Sequence, residues 1–375
     1  MTLSSEQADV VVIGAGPAGA TAALTLSRHG ARVLLAERPE RPERPERQRI
    51  RLGEGLPPAA RPLLTSLGLW EQFRAAGHLP SYGNRSAWGS SELTSSDFIF
   101  TPHGHGWHLD RESFDTMLVA AAEEAGAIRV RSTRVAWEPT ASGGVLRLHQ
   151  AGRELAIRAW GALDCSGRPA AIAHRLGARR VHRDKLVAVA AVHRPATSGD
   201  LDSTTLVEAV RDGWWYTALL PGGHRIFVYL TDSDLLDLGA ARDVGCWLAW
   251  LSHTEHLRQI QQRFGYQVLA GPTVIAARSS TLRPAAGDGW LAAGDAAITF
   301  DPLSSQGIMT AIATGRQAAE AILGGRNGHP AAIESYLTSL DQLDREHLVR
   351  RVRYYAQENR WGNAAFWKRR ARWKR

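Results

Sequence analysis

Six residues near the start of the chain have the types and spacing to hold a diphosphate: Gly14-Ala15-Gly16-Pro17-Ala18-Gly19. They follow the β-branched run Val10–Ile13 and open a segment that reads as helix to about His29. The first glycine permits a tight turn, and the second lets backbone approach a pyrophosphate. The third lets helix and strand pack closely, and the helix N-terminus favours the phosphate charge. A second strand, Arg32–Glu37, ends in a carboxylate 23 positions after Gly14. There it can accept hydrogen bonds from an adenosine ribose and disfavours a 2′-phosphate. Gly14, Gly16, Pro17, Ala18, Gly19 and Glu37 are therefore cofactor-binding candidates, with Arg38 and Arg51 flanking the loop that follows. That loop begins Arg38–Arg47, RPERPERPER. Proline at every third position forbids helix and ladder and predicts an extended, solvated insertion.

A second constellation lies some 280 residues on. The strand Trp290–Ala293 leads into Gly294-Asp295-Ala296-Ala297, and then Asp301-Pro302-Leu303-Ser304-Ser305-Gln306-Gly307-Ile308. An aspartate after a strand can hold a ribityl hydroxyl. A helix starting near Ser305 or Gln306 sets its positive end against a flavin's pyrimidine edge, where reduced flavin carries negative charge. Small residues let the backbone pass close to the ring. Gly294, Asp295, Gln306, Gly307 and Ile308 join the cofactor-binding set. Pro302, Ser304 and Ser305 are candidates for the reacting side. The two constellations together point to FAD rather than NAD.

Trp88, Trp107, Trp214, Trp215 and Tyr216 fall in turn-rich or sheet segments expected over the flavin. Flat rings there can stack on an aromatic substrate or keep water from the reaction, although rings of this kind also fill cores. His103, His105 and His108 lie close together, but no carboxylate or cysteine completes a metal set, so no metal is expected. His108 is the candidate acid–base group.

The elements that must position these residues divide the 375-residue chain. Residues 1–80, 110–180 and 270–325 read as one discontinuous FAD-binding domain. Residues 81–109 and 181–269 read as a substrate domain with a sheet of its own, from Val187–His193, Thr204–Val210, Trp214–Leu220 and Arg225–Thr231. Pro57–Phe73, Glu112–Ala125, Gln306–Leu323 and Pro330–Glu358 read as helices. Residues 326–375 read as a helical, basic tail.

An apolar fraction of 44% supports a substantial core, and no apolar run reaches the roughly 18 residues of a membrane span. Cys165 and Cys246 are the only cysteines, and a cytoplasmic protein without disulfides is expected. Net charge is +8, almost all from arginine, and concentrates at Arg350–Arg375. No nucleic-acid motif accompanies it, so it reads as a solvated end or as a lure for an acidic partner.

These motifs resemble the glutathione-reductase-type flavoproteins, in the group of aromatic hydroxylases and flavin-dependent halogenases, over roughly Ala8–Leu323. The resemblance implies a Rossmann FAD-binding domain of α/β class with an inserted, mainly antiparallel β-sheet substrate domain and C-terminal helices. Asp164-Cys165-Ser166-Gly167-Arg168 resembles the Asp-Gly region of the hydroxylases, and Arg111 stands where they often bind an FAD phosphate. Ser86–Gly89, Gly106–Arg111, Asp212–Tyr216 and Asp301–Gly307 are similar to flavoproteins that hydroxylate a peptidyl tryptophan during quinone cofactor biogenesis.

That likeness implies hydroxylation of an electron-rich aromatic by a flavin C4a-hydroperoxide formed from O2. The substrate would be an indole of tryptophan in an acidic peptide or on a carrier. Electrons would come from NAD(P)H or a separate flavin reductase. Halogenases carry a relay lysine, but no lysine precedes Lys185 here, and their Trp-x-Trp-x-Ile-Pro pattern is broken after Trp215. An FAD-dependent oxidase or dehydrogenase, or a non-catalytic flavin-binding redox partner, is the alternative reading. The oligomeric state is not legible.

Overall fold

The computed structural model describes residues 7–38, 50, 52–132, 134–150 and 153–371; Arg51 and most of the RPE loop lie outside these. Among the described residues, one sheet has the strand order Ala286–Gly287, Trp290–Ala292, Gly161–Asp164, Val10–Ile13, Val33–Glu37, Ile128–Arg131. Its pairs are parallel except at the Ala286–Gly287 edge. Val10–Ile13 is buried throughout, as a central parallel strand covered on both faces should be. Pro17–Arg28 and Gly307–Arg326 pack against each other. A Cβ at Gly315 would lie 2.2 Å from the Ala18 carbonyl oxygen, so the glycine permits the approach.

The second large sheet runs Gln267–Ala276, Leu186–Arg194, Arg225–Asp232, Gly213–Leu219, Thr205–Val210, Gly83–Ala87, Thr94–Asp97. It is antiparallel except where Thr205–Val210 meets Gly83–Ala87. This is the mixed α/β architecture the sequence predicts. Gly106–His108 pairs instead with Gly55–Leu56 and Leu79–Ser81, forming a small sheet at the seam. The helix expected over Pro57–Phe73 is two short ones, Ala60–Ser66 and Trp70–Ala75, separated at Gly68, which takes φ +61. Val244–Ser252 and His256–Arg263, not anticipated, cover one face of the second sheet with Trp247, Leu251 and Leu257.

The other face is covered by the C-terminal helices Ala331–Gln357 and Ala365–Ala371, through Tyr355, Phe366 and Trp367. The basic end expected to be solvated is so only in part: Arg350, Arg353 and Lys368 are exposed, residues 372–375 lie outside the described residues, and three arginines are engaged internally. Arg351 meets Asp184 at 2.6 Å, both 3% exposed. Arg370 meets Asp232 at 2.9 Å, and Arg369 bridges Asp232 and Asp234. Trp367 donates its indole N–H to the Val210 carbonyl. Each of these three arginines has a partner more than 130 residues away in sequence, so a local charge count reads the segment as solvated. Among the described residues, no helix is long and apolar enough to cross a membrane.

Candidate cofactor and substrate site

The three glycines of the first turn meet different surroundings. Gly14 has φ +103, and a Cβ there would lie 2.3 Å from the Cys165 carbonyl oxygen. A Cβ at Gly19 would lie 1.7 Å from the carbonyl oxygen of Gly14. Packing of the protein itself therefore demands both. A Cβ at Gly16 would meet nothing within 4 Å. The helix beginning there has Pro17 in its first turn and no side-chain cap, so its N-terminal N–H groups open onto that space. This is a cradle of the kind a diphosphate occupies.

Glu37 is pinned by two arginines: Arg129 Nη2 lies 2.8 Å from both carboxylate oxygens, and Arg131 Nε donates at 2.9 Å. Arg38 is exposed beyond it.

The second constellation is delivered as expected. Trp290–Ala292 leads to Gly294, where φ is +60 and a Cβ would come within 2.6 Å of the Ala18 Cβ. The Asp295 side chain is 44% exposed. Desolvation pushes its carboxyl up, opposed by Arg168, Arg180 and Arg111; Arg168 Nε lies 3.6 Å from Oδ2.

Asp301 is buried and caps the short turn Pro302–Ser304 through the Leu303 N–H. Ser304 Oγ donates back to the Asp301 carbonyl, and Ser305 takes the left-handed conformation at φ +49. Gln306 then stands at the N-cap position without a side-chain cap, and at Gly307, as at Gly16, a Cβ would meet nothing. Ile308 is buried against Gly53. Arg111 reaches the same turn: its Nη1 donates to the carbonyls of Leu52 and Gly53, and its Nη2 meets Asp115. Its shielded Nε has no hydrogen-bond partner among the described residues.

Asp164 has a different task. It is fully buried and accepts from the Ser166 N–H and hydroxyl and from the N–H groups of Ile172 and Ala173. It shapes the loop beside Gly14 and offers a cofactor no direct contact.

Strand alternation separates the expected substrate-facing aromatics. Trp214 and Tyr216 lie on the face covered by Tyr355 and Trp367, and Trp88 packs edge-on to Trp214, Tyr355 and Trp367. Trp215 points to the opposite face, stacked on Tyr229 at 4.9 Å and tilted against Trp247. Trp107 belongs to the core of the nucleotide-binding sheet, edge-on to Trp70 and Phe73. His108 lies at the seam, its Nε2 3.0 Å from the Thr205 hydroxyl; burial lowers its pKa to about 4, so it is neutral at neutral pH. Among the described residues no group of three side chains is arranged to hold a metal.

Three residues without a role in the sequence reading join this site. Tyr355 accepts from Trp214 Nε1 at 3.0 Å and donates to Asp301 Oδ2 at 2.9 Å, tying the inserted sheet to the turn before the Gly307 helix. His347 Nε2 accepts from the Asp301 N–H. Glu54 is buried, its carboxyl pushed up by desolvation, and accepts from the Tyr216 hydroxyl at 3.4 Å. Its one signal in the sequence is a lone carboxylate between Gly53 and Gly55.

A parallel nucleotide-binding sheet with two open helix N-termini, joined to a second sheet over an aromatic face, defines a flavoprotein oxidoreductase. The chain belongs to the FAD-binding domain family, whose model matches residues 7–339. It is 30% identical over 370 residues, 97% of each chain, to LodB of Marinomonas mediterranea, described as an FAD-dependent oxidoreductase. The fold is similar to that of the myxobacterial chondrochloren halogenase CndH, with TM-score 0.85, 22% identity, and 98% of this chain and 86% of that one covered. It is also similar to that of QhpG, a peptidyl tryptophan dihydroxylase essential for tryptophylquinone cofactor biogenesis, with TM-score 0.75, 23% identity and coverages of 97% and 78%. This protein is thus an FAD-dependent oxidoreductase of the FAD-binding domain family.

Proposed function

We propose that the chain is a monooxygenase that hydroxylates an electron-rich aromatic, the indole of a tryptophan held in a peptide or on a carrier. The observation that carries this reading is the packed aromatic cluster of Trp88 and Trp214, hydrogen-bonded through Tyr355 to Asp301 of the turn that precedes the Gly307 helix, which sets an apolar, water-free wall behind that turn. In this reading Gly16 and the helix behind it take the FAD diphosphate, Glu37 the ribose, and Asp295 the ribityl chain. The Gly307 N-terminus takes the pyrimidine edge, and the free Arg111 Nε a phosphate oxygen. Bound FAD supplies the activation of O2, with electrons from NAD(P)H or a separate reductase. The aromatic cluster, packed under the C-terminal helices, would back the turn that holds the flavin and exclude water from it.

His108, neutral and held by Thr205, is poorly placed on the protonation scale to act as an acid at neutral pH. Glu54 is better suited to hold a proton, at the Tyr216 hydroxyl. Recruitment of an acidic carrier would fall to exposed residues such as Arg353 and Lys368, because Arg351, Arg369 and Arg370 are engaged internally. The absence of lysine before Lys185 speaks against halogenation.

The test is turnover of FAD-loaded protein with reductant, isotopically labelled O2, bromide and a tryptophan-containing acidic peptide. A labelled hydroxyl on the peptide supports the reading. Oxidation without label assigns an oxidase or dehydrogenase instead, and a brominated product a halogenase.

A further inference from the structure

Beside the Gly294–Ala296 turn the surface opens into a cleft of about 680 Å³. Its lining holds Arg168, Arg179, Arg180, Arg278, His174 and His182, with no carboxylate among the residues lining it. The cleft is built rather than incidental. Arg179 and Arg180 lie on a strand, Arg179–His182, locked antiparallel to Ser280–Arg283. Arg180 donates to Ser280 Oγ at 3.1 Å and to the Ala296 carbonyl at 3.0 Å, while its shielded Nε has no partner among the described residues. Arg168 donates to the Arg278 carbonyl at 2.8 Å, which brings two cationic residues together.

Three nearby carboxylates, Asp164, Asp184 and Asp295, offset this charge only in part: Asp164 is taken up by its own loop. Asp184 is engaged by Arg351 at 2.6 Å. Asp295 lies 3.6 Å from Arg168 and acts on Arg180 only through space. Desolvation lowers the pKa values of Arg168, Arg180 and His182; neighbouring arginines add to this, against the opposing pull of Asp295 and Asp184 on Arg168, Asp295 and Asp164 on Arg180, and Asp184 on His182. Cations gathered against mutual repulsion are stable when an anion enters among them. Guanidinium forks match phosphate oxygens two at a time.

We propose that this cleft binds the diphosphate of a second nucleotide, distinct from FAD, beside the Asp295 turn. The proposal rests on the FAD reading above, because Asp295 and Ala296 would form the wall shared with the cofactor. Two sources carry this chemistry: a nicotinamide dinucleotide that brings electrons, and a coenzyme A thioester that brings substrate.

The experiment is calorimetric titration of inorganic pyrophosphate into FAD-loaded protein, in which the Gly16 cradle is already filled. Tight binding that weakens as salt rises from about 0.05 to about 0.5 M is expected. Binding should weaken at least about tenfold in R179Q/R278Q, whose FAD content stays unchanged. NADP⁺ and coenzyme A are then tested as competitors; displacement by one identifies the source. Holoenzyme that does not bind pyrophosphate, a double variant that binds it equally well, or failure of both nucleotides to compete would each overturn the proposal. Loss of FAD from the unaltered protein would instead strike the cofactor reading.

Discussion

The two ends of the site are built on different length scales. At the nucleotide end, strand, turn, helix and carboxylate come from one run, Val10–Glu37, and each glycine has a separable reason for being there. At the proposed substrate end the aromatic wall is assembled from Trp88, Trp214 and Tyr355, residues up to 267 positions apart, which meet through edge-on rings and the Trp214 bond to the Tyr355 hydroxyl, which in turn donates to Asp301. A motif encodes the first end. The second exists only when distant segments have packed, so its parts should fail together, whereas the parts of the first should fail one at a time.

The largest effect expected from this contrast is a pair of glycine variants. Gly19→Val drives a side chain into the Gly14 carbonyl and should cost roughly 3 kcal/mol or more, read by urea unfolding. Gly16→Trp should leave apo-protein unfolding nearly unchanged but empty the protein of flavin, read from the absorbance ratio. Full FAD occupancy in that variant would mean the diphosphate is held elsewhere.

At the substrate end, Arg370→Met leaves the buried Asp232 with Arg369 alone and should cost about 3–5 kcal/mol. A second change, Asp232→Leu, should recover much of the loss. If the single variant is neutral, the C-terminal helices are ornament and the comparison breaks.

A smaller effect, about 1–3 kcal/mol, is expected for Tyr355→Phe, which strands Trp214 Nε1 and one Asp301 oxygen at once. A double-mutant cycle with Trp214→Phe should show strong coupling; additive effects would separate the two contacts.

The smallest effect is in the pH profile. Burial lowers His347 to about 3 and His108 and His193 to about 4. The unfolded chain, with imidazoles near ~6.5, takes up protons first. Stability is therefore complete above about pH 6.5 and falls as pH drops toward 4. His347→Gln should make that fall shallower by up to about 1.4 kcal/mol per pH unit. An unchanged slope would show that His347 is not desolvated as the structure has it.

Much of the fold was legible because its signals are local. The Gly14–Gly19 turn, the Asp295 turn and the alternation of the second sheet each declare themselves within a dozen residues. What stayed hidden was set by distance or by short elements. Trp107 sits on a three-residue strand, too short for alternation to say which way it faces, and it turned into the core with Trp70. Trp214 and Trp215 are neighbours in sequence, and any strand must send them to opposite faces. Asp164 has the place of a cofactor ligand but bonds backbone groups eight and nine residues on. The basic end looked solvated because Asp184 and Asp232 are nowhere near it in the chain.

The pairing of Arg370 with Asp232 also sets a schedule for synthesis. The two residues are 138 positions apart, and at 5–20 residues per second the second leaves the ribosome roughly 7–28 s after the first. Throughout that interval the nascent sheet presents Trp214 and Tyr216 on a bare face, with a carboxylate awaiting its counterion at the border. A chaperone that holds hydrophobic nascent chains has a defined window in which to act, and the window closes when Phe366 and Trp367 arrive.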